Sequence, residues 1–343
     1  MGIVPFLVLL ALPPQGAQAW ASVSALPGPV PHGAEHALLL WDPDGGREQL
    51  AIRVDYETSA PSVGLLIDLP TSPTAVTEHP SAVIEGLSGL AGPRVRVREV
   101  FNSASLRSLF FFDSFAAGAH PPPVPPPPTT TRRMTSFVTM SPEGGSSLEE
   151  WFRENGWPMR PSLARWVEAA RKRNRHVLGV RIERPEGLPA DRPLRTPLLR
   201  IQFKTTQPMV PYGEPDDEIH HRPALRVFAV LPFRATGAID GATAAPQRTP
   251  YAQTILDPAL FRSAFEGGTV PPDPWLTILD VPAKRAPGLA LHLHRHAKQS
   301  PTKPETKVVD EPRIYPPFGI PACLALTLAF LTWTRKRRRR RPS

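Results

Sequence analysis

Cysteine is almost absent from this chain. Among 343 residues only Cys323 is a cysteine, and it lies in an apolar segment near the C-terminus. The other residues therefore form no disulfide and offer no thiol nucleophile, so a hydrophobic core has to supply the stability. Apolar residues make up 41% of the chain, which is enough for one large or two modest domains.

Signature motifs of common enzyme families are also missing. The sequence contains no HExxH metal motif, no phosphate-binding glycine loop and no dinucleotide fingerprint. The segment Gly86-Leu87-Ser88-Gly89-Leu90 departs from the G-x-S-x-G nucleophile elbow, and Ser88 falls in a predicted helix rather than at a strand-to-helix turn. These absences favour a binding or structural function over catalysis.

Positive charge is concentrated at the C-terminus. The formal net charge is +9, and subtracting the seven cations from Arg335 to Arg341 leaves +2 for the rest of the chain. Nucleic-acid binding requires a basic surface that neutralises phosphates. We therefore expect no nucleic-acid partner.

An uncharged apolar segment directly precedes these cations. A helix over the seventeen residues 318–334 rises about 25 Å, slightly less than the ~30 Å of hydrocarbon in an average bilayer. The basic tail at 335–343 then stays on the cytoplasmic side and contacts anionic headgroups. We expect a single transmembrane helix here, with the lipid bilayer as its partner. The alternative is a buried core helix followed by a basic tag.

The N-terminus is apolar as well. Ile3 to Leu12 is a run of ten apolar residues, too short to span a bilayer, and the small-residue pattern Ala17-Gln18-Ala19 follows it. This layout predicts a signal peptide at residues 1–19, although its first residues contain no Lys or Arg. The domain that follows is then extracytoplasmic. The alternative is a hydrophobic first strand of a cytosolic domain.

The middle of the chain has the patterns of short strands. Its 46 prolines are far above average usage and favour strands joined by stiff loops over a helical bundle. Gln49 to Tyr56 alternates apolar and polar residues, and the turn Asp42 to Gly46 joins it to Ala37 to Trp41 in a hairpin. The apolar run Val63 to Pro70 predicts a strand that extends this hairpin and is buried on both faces.

Two short helices are predicted near the centre. A capping box at Ser147 to Glu150 begins the first helix, and Gly156 ends it. The second begins near Ser162 and has one apolar face. The fold class is therefore α+β, with a strand-rich, mainly antiparallel ectodomain that carries a helical hairpin.

Changes in composition set the boundaries between the termini. A run of prolines from Pro121 to Pro128 favours an extended spacer. The predicted parts are a strand-rich N-terminal half at 33–118, a proline-rich insert at 119–145, a C-terminal half with the helical hairpin and further strands at 146–296, and a Pro/Lys/Glu-rich stalk at 297–317.

Two groups of residues are candidates for metal binding. His292, His294 and His296 alternate in a predicted strand, which places three imidazoles on one face about 6.6 Å apart in succession. Imidazoles bind Zn²⁺ or Cu²⁺, so these histidines predict a metal-dependent hydrolase as an alternative function; the other interpretation is the polar face of a last strand. An acidic loop lacks the spacing of a calcium-binding loop and has solvation as its default interpretation: Glu214, Asp216, Asp217, Glu218, His220 and His221.

Several segments together resemble a known bacterial family. They are Ile52 to Tyr56, Leu65 to Pro70, Leu90 to Val95, Leu148 to Phe152, Asn155 to Trp157, His176 to Ile182, Pro197 to Phe203, Gln207-Pro208 and Val227 to Pro232. Over about residues 33–235 the chain resembles the exported family catalogued as domain of unknown function 2330. That resemblance implies a signal peptide and a membrane anchor, and it implies no activity and no catalytic residues.

The C-terminus has a second resemblance. It is similar to bacterial sorting signals that a membrane protease cuts, with Ile320-Pro321 or Tyr315-Pro316-Pro317 as the recognition element. Whether the C-terminal helix stays in the membrane as a permanent anchor or is cut by such a protease, we expect a cell-envelope protein. Its extracytoplasmic domain binds an envelope partner or ligand, or supports the envelope. No cofactor is expected for that role, and Zn²⁺ is expected only for the hydrolase alternative.

Overall fold

The computed structural model describes residues 20–79, 81–92, 94–100, 136–142, 146–218, 224–239, 247–255, 261, 265, 270–282 and 290–312. The chain forms two compact units, one of residues 1–92 with 128–304 and one of residues 93–127 with 305–343. The predicted signal peptide, transmembrane helix and basic tail lie outside the described residues. Within the described residues, no helix combines the length and the apolar composition that crossing a membrane requires.

Strands dominate the described structure. In chain order they are β1 (Trp20–Ser24), β2 (His32–Asp42), β3 (Arg47–Tyr56), β4 (Ser62–Leu69), β5 (Ala75–His79), β6 (Arg94–Val100), β7 (Ser136–Met140), β8 (His176–Glu183), β9 (Leu194–Arg195), β10 (Leu198–Lys204), β11 (Met209–Pro211), β12 (Leu225–Leu231), β13 (Ala235–Ile239), β14 (Arg248–Thr254), β15 (Trp275–Val281), β16 (Ala290–Arg295) and β17 (Thr306–Pro312). The described helices are α1 (Ala82–Ala91), α2 (Ser146–Glu154) and α3 (Pro161–Lys172). Among the described strand pairs, only β2 with β12 and β6 with β17 are parallel. The strand-rich, mainly antiparallel α+β class is therefore confirmed.

The largest sheet contains the predicted β2–β3 hairpin. In its turn Asp42 accepts the N–H groups of Asp44 and Gly45, and Gly46 has a φ of +55°, which favours glycine. The sheet has eight strands in the order β14-β15-β12-β2-β3-β10-β5, with the short β9 paired to β3. The hairpin prediction is confirmed by the continuous register from His36 to Asp42.

A second sheet has the order β1-β4-β8-β7 and is antiparallel throughout. The expectation that β4 extends the β2–β3 hairpin is wrong, because β4 pairs with β1 and β8. The expectation that β4 is buried on both faces is confirmed, since all eight of its residues are buried. Leu65 and Ile67 lie in one core cluster, and Leu66 lies in another.

The main unit is layered around these two sheets. The central core between them includes Leu39, Leu50 and Val227 of the large sheet, and the small sheet β11-β16-β13 adds residues such as Leu291. Helices α2 and α3 cover the other face of the four-stranded sheet, and α1 covers part of the other face of the eight-stranded sheet. Each of the two sheets thus has one face on the central core and helices on its other face.

The helical hairpin packs through tryptophans onto two glycines of the four-stranded sheet. A Cβ on Gly64 would lie 2.6 Å from Trp157, and one on Gly179 would lie 3.0 Å from Trp151. At Gly64 a Cβ would overlap the indole ring of Trp157, and at Gly179 it would be in tight contact with Trp151, so close packing favours glycine at both positions. The prediction that Gly156 ends the first helix is confirmed by its φ of +65°.

The segment expected to be a stalk, 297–317, is not uniformly irregular. It contains β17, which pairs in parallel with β6, and Thr302 forms a bridge with Ala252. The physical reason is local composition, since Val308 and Val309 give this part of the segment strand propensity. Both valines are exposed, at 51% and 40%.

Candidate functional site

A chain of hydrogen bonds connects three side chains at the start of the domain. The Oγ of Ser22 in β1 lies 2.8 Å from Nε2 of His32, and Nδ1 of His32 lies 2.7 Å from Oε1 of Glu35. The hydroxyl of Tyr56 lies 3.3 Å from the same Oγ, and its ring meets the His32 ring edge to face. We call Ser22, His32 and Glu35 the relay.

An irregularity in β2 brings His32 and Glu35 together. Residues three apart in a regular strand point to opposite faces of the sheet. The pairing register of β2 with β3 shifts between His32 and Glu35, as in a β-bulge. Both side chains consequently point into the central core, where Ser22 and Tyr56 also lie.

The outer edge of β1 is held by side chains instead of another strand. Arg160, just before α3, donates to the carbonyl of Ser22 at 2.9 Å, and Glu218 accepts the N–H of Ser22 at 3.3 Å. Arg160 and Glu218 also pair with each other at 2.5 Å, and Arg160 bonds Asp217 as well. We call Arg160, Asp217 and Glu218 the clamp: Arg160 and Glu218 bond the two backbone groups of Ser22, and Asp217 bonds Arg160.

The clamp explains the acidic loop that the sequence offered as a cation site. Asp217 and Glu218 bond Arg160, and the exposed Asp216 pairs with Arg165 at 3.5 Å. These carboxylates are therefore engaged with arginines in the described part of the loop. His220 and His221 lie outside the described residues.

The relay is enclosed by protein. Ser22 is 0% exposed, and the side chains of His32 and Glu35 are 1% and 0% exposed. A molecule from solvent reaches them only after a neighbouring element moves. Arg160 and Glu218 of the clamp are the described side chains that contact the outer edge of β1 at Ser22.

The structure brings two of the three alternating histidines together and places the third apart from them. His292 and His294 share one face of β16, with ring centroids 6.4 Å apart, and Nδ1 of His292 lies 2.8 Å from the side-chain amide of Gln207. His296 follows the end of β16, and its Nδ1 lies within 3.0 Å of the backbone of Lys298. No group of three or more metal-ligating side chains occurs among the residues that the structure describes.

Two further side chains, Glu48 and His36, have pKa values that are shifted by burial. Burial raises the pKa of Glu48 well above its usual value; its Oε2 accepts the N–H of Met209 at 2.9 Å, and its Oε1 has no partner among the described residues. Burial, followed by the charge of Arg53, lowers the pKa of His36 to about 4. His36 lies between Arg53 on β3 and Arg226 on β12.

Sequence reasoning missed the relay. Ser22, His32 and Glu35 belong to two strands, and no motif links a serine to a histidine ten residues later. Only the bulge in β2 and the pairing of β1 at the sheet edge bring them together.

Fold and site together define a layered, two-sheet α+β domain with an enclosed polar relay. The family described as an uncharacterized protein conserved in bacteria (DUF2330) matches residues 27–253, and the chain belongs to this family. No curated protein matches the chain. Among solved structures, the crystal structure of baculovirus P35 is similar with a TM-score of 0.41 and 8% identity, over 81% of this chain and 98% of that chain.

Proposed function

We propose that the protein is a single-pass membrane protein of the bacterial cell envelope whose extracytoplasmic domain binds a partner or ligand, or supports the envelope. The observation that carries this proposal is the way in which the clamp joins β1, α3 and the acidic loop into one body. The carboxylates of Asp217 and Glu218 are bonded to Arg160 instead of being open to solvent as in a catalytic loop. This is expected of a stable binding or structural domain.

The location rests on the two ends of the sequence. The apolar run before Ala19 has the layout of a signal peptide, and the segment 318–334 followed by seven cations has the layout of a stop-transfer helix. Trp20, the first residue after the proposed cleavage site, is fully buried in β1.

Cross-linking on intact cells tests the binding role. A membrane-impermeant amine-reactive cross-linker followed by purification from membranes is expected to capture a defined envelope component with the wild-type protein. A matched variant without residues 335–341, which releases or mislocalises the domain, is expected to lose that product. Absence of any cross-linked product with the wild-type protein, or an equal yield of the same product in the variant, would contradict the proposal.

A metal-dependent hydrolase is the second candidate. The observation in its favour is the shared face of His292 and His294, which leaves both imidazoles near one another at the surface. Metal analysis of the purified protein beside a variant with His292, His294 and His296 all changed to Ala tests it. Stoichiometric zinc that disappears in the variant supports this function, and equal metal content in both proteins contradicts it.

A further inference from the structure

We infer that Ser22, His32 and Glu35 form a nucleophile relay that cleaves carboxylic esters when the clamp releases the edge of β1. Nucleophilic serines require a base within hydrogen-bond reach and a third group that orients the base. Both contacts are present, at 2.8 Å from Ser22 to His32 and 2.7 Å from His32 to Glu35. This activity goes beyond the proposed binding or structural function.

The order of atoms along the relay is the order that catalysis needs. In the tautomer with the proton on Nδ1, His32 donates to Glu35, and the lone pair of Nε2 then faces the Ser22 hydroxyl. His32 is then the base, and Glu35 is a positioning residue that fixes its tautomer. Tyr56 places a phenolic hydroxyl 3.3 Å from the nucleophile.

Structural demands alone do not explain this choice of residues. Burying polar side chains is unfavourable unless all are hydrogen-bonded, and apolar residues of similar volume serve a core at least as well. Here a register irregularity in β2 is also needed to turn His32 and Glu35 to the same side. Bulges that redirect side chains occur often beside active sites.

The reaction balances with water as the only co-reactant. Ser22 Oγ attacks the ester carbonyl carbon while its proton passes to Nε2 of His32. The carbon–oxygen bond to the alkoxide then breaks, and His32 returns the proton to the leaving alcohol. Water, deprotonated in turn by His32, hydrolyses the acyl-serine and restores the hydroxyl.

The clamp controls access to the relay. Arg160 and Glu218 are almost fully buried, whereas the side chain of Asp217 is 33% exposed. Changing Asp217 to Asn therefore weakens the clamp from its outer side and leaves both backbone contacts of Ser22 in place. The adjacent Asp216, whose ion pair with Arg165 is exposed at both ends, provides a matched control.

Covalent labelling of the full-length protein with an alkyl fluorophosphonate tests the inference. Attack of Ser22 on phosphorus expels fluoride and leaves a stable adduct, which peptide mass spectrometry locates. We expect an adduct on Ser22 in the wild type, none there in Ser22→Ala, and an unchanged rate in Ser24→Ala. The His32→Gln variant is expected to react about 10²-fold or more slowly, since a general base contributes that much.

Two further variants separate catalysis from a structural network. Asp217→Asn is expected to react faster than Asp216→Asn, and Glu35→Gln is expected to change the pH profile of labelling while Ser22 stays in place. Circular dichroism identifies the variants that remain folded. Absence of a Ser22 adduct in both the folded wild type and folded Asp217→Asn would overturn the inference, as would labelling that does not depend on His32.

Discussion

Glu48 is a fully buried carboxyl group. Because burial raises its pKa, the folded protein holds a proton that the unfolded chain releases above about pH 4.5. The free energy of unfolding therefore falls as the pH rises from 4.5 toward the folded-state pKa, by about 1.4 kcal/mol for each pH unit. Urea unfolding at several pH values is expected to show this slope in the wild type and its loss in Glu48→Gln. An identical pH dependence in both proteins would contradict the assignment.

His36 acts in the opposite direction. Its pKa of about 4 in the folded protein lies below the ordinary 6.5, so the unfolded chain binds a proton first as the pH falls. Its contribution is present above pH 6.5 and is lost as the pH falls toward 4, by up to roughly 3 kcal/mol. The His36→Gln variant is expected to lose less stability than the wild type between pH 6.5 and 4 in thermal unfolding. A steeper acid loss in the variant would be incompatible with this account.

At the scale of elements, the hairpin of α2 and α3 depends on close contact with the sheet. Gly64→Ala places a Cβ against Trp157 and is expected to destabilise the protein by about 1–3 kcal/mol through overpacking. Gly86→Ala in α1 meets nothing within 4 Å and is expected to be neutral or stabilising by up to about 1 kcal/mol. Denaturant unfolding of the two variants measures the difference. Equal effects would show that the contact with Trp157 does not limit packing.

The clamp ties three elements together through one side chain. Arg160→Ala leaves Glu218 buried without this cation and the carbonyl of Ser22 without this donor, so we expect a loss of about 3–5 kcal/mol. Arg165→Ala removes a surface ion pair with Asp216 and is expected to cost less than about 1 kcal/mol. Chemical denaturation of both variants provides the comparison. Similar losses in the two would contradict the role of the clamp.

Elements with strong local patterns were predictable, and their partners were not. The β2–β3 hairpin follows from period-two alternation around a turn, and the two helices follow from their apolar faces. The predicted cap at Ser147 is not confirmed, since α2 already includes Ser146. The partners of β4 could not be read from its sequence, since a strand buried on both faces has no pattern that indicates a neighbour. The relay was hidden for a related reason, because it depends on a bulge and on the pairing of β1 with β4.

At the scale of the whole molecule, the middle and the ends of the chain have separate proposed roles. The layered domain between β1 and β16 provides a stable body through three apolar clusters. The ends are proposed to direct this body through a membrane and to hold it there. The composition of the C-terminal end supports this proposal. An apolar run followed by cations stops translocation, whereas an apolar segment of a globular core does not.

The N-terminal residue of the protein in fractionated cells tests the central proposal most directly. Cells that express the full-length chain are separated into cytosol, membrane and extracytoplasmic fractions, and mass spectrometry identifies the first residue of the protein in each fraction. We expect the protein in the membrane fraction with Trp20 as its first residue and with its domain accessible to external protease. Full-length protein in the cytosol that retains Met1 would contradict it.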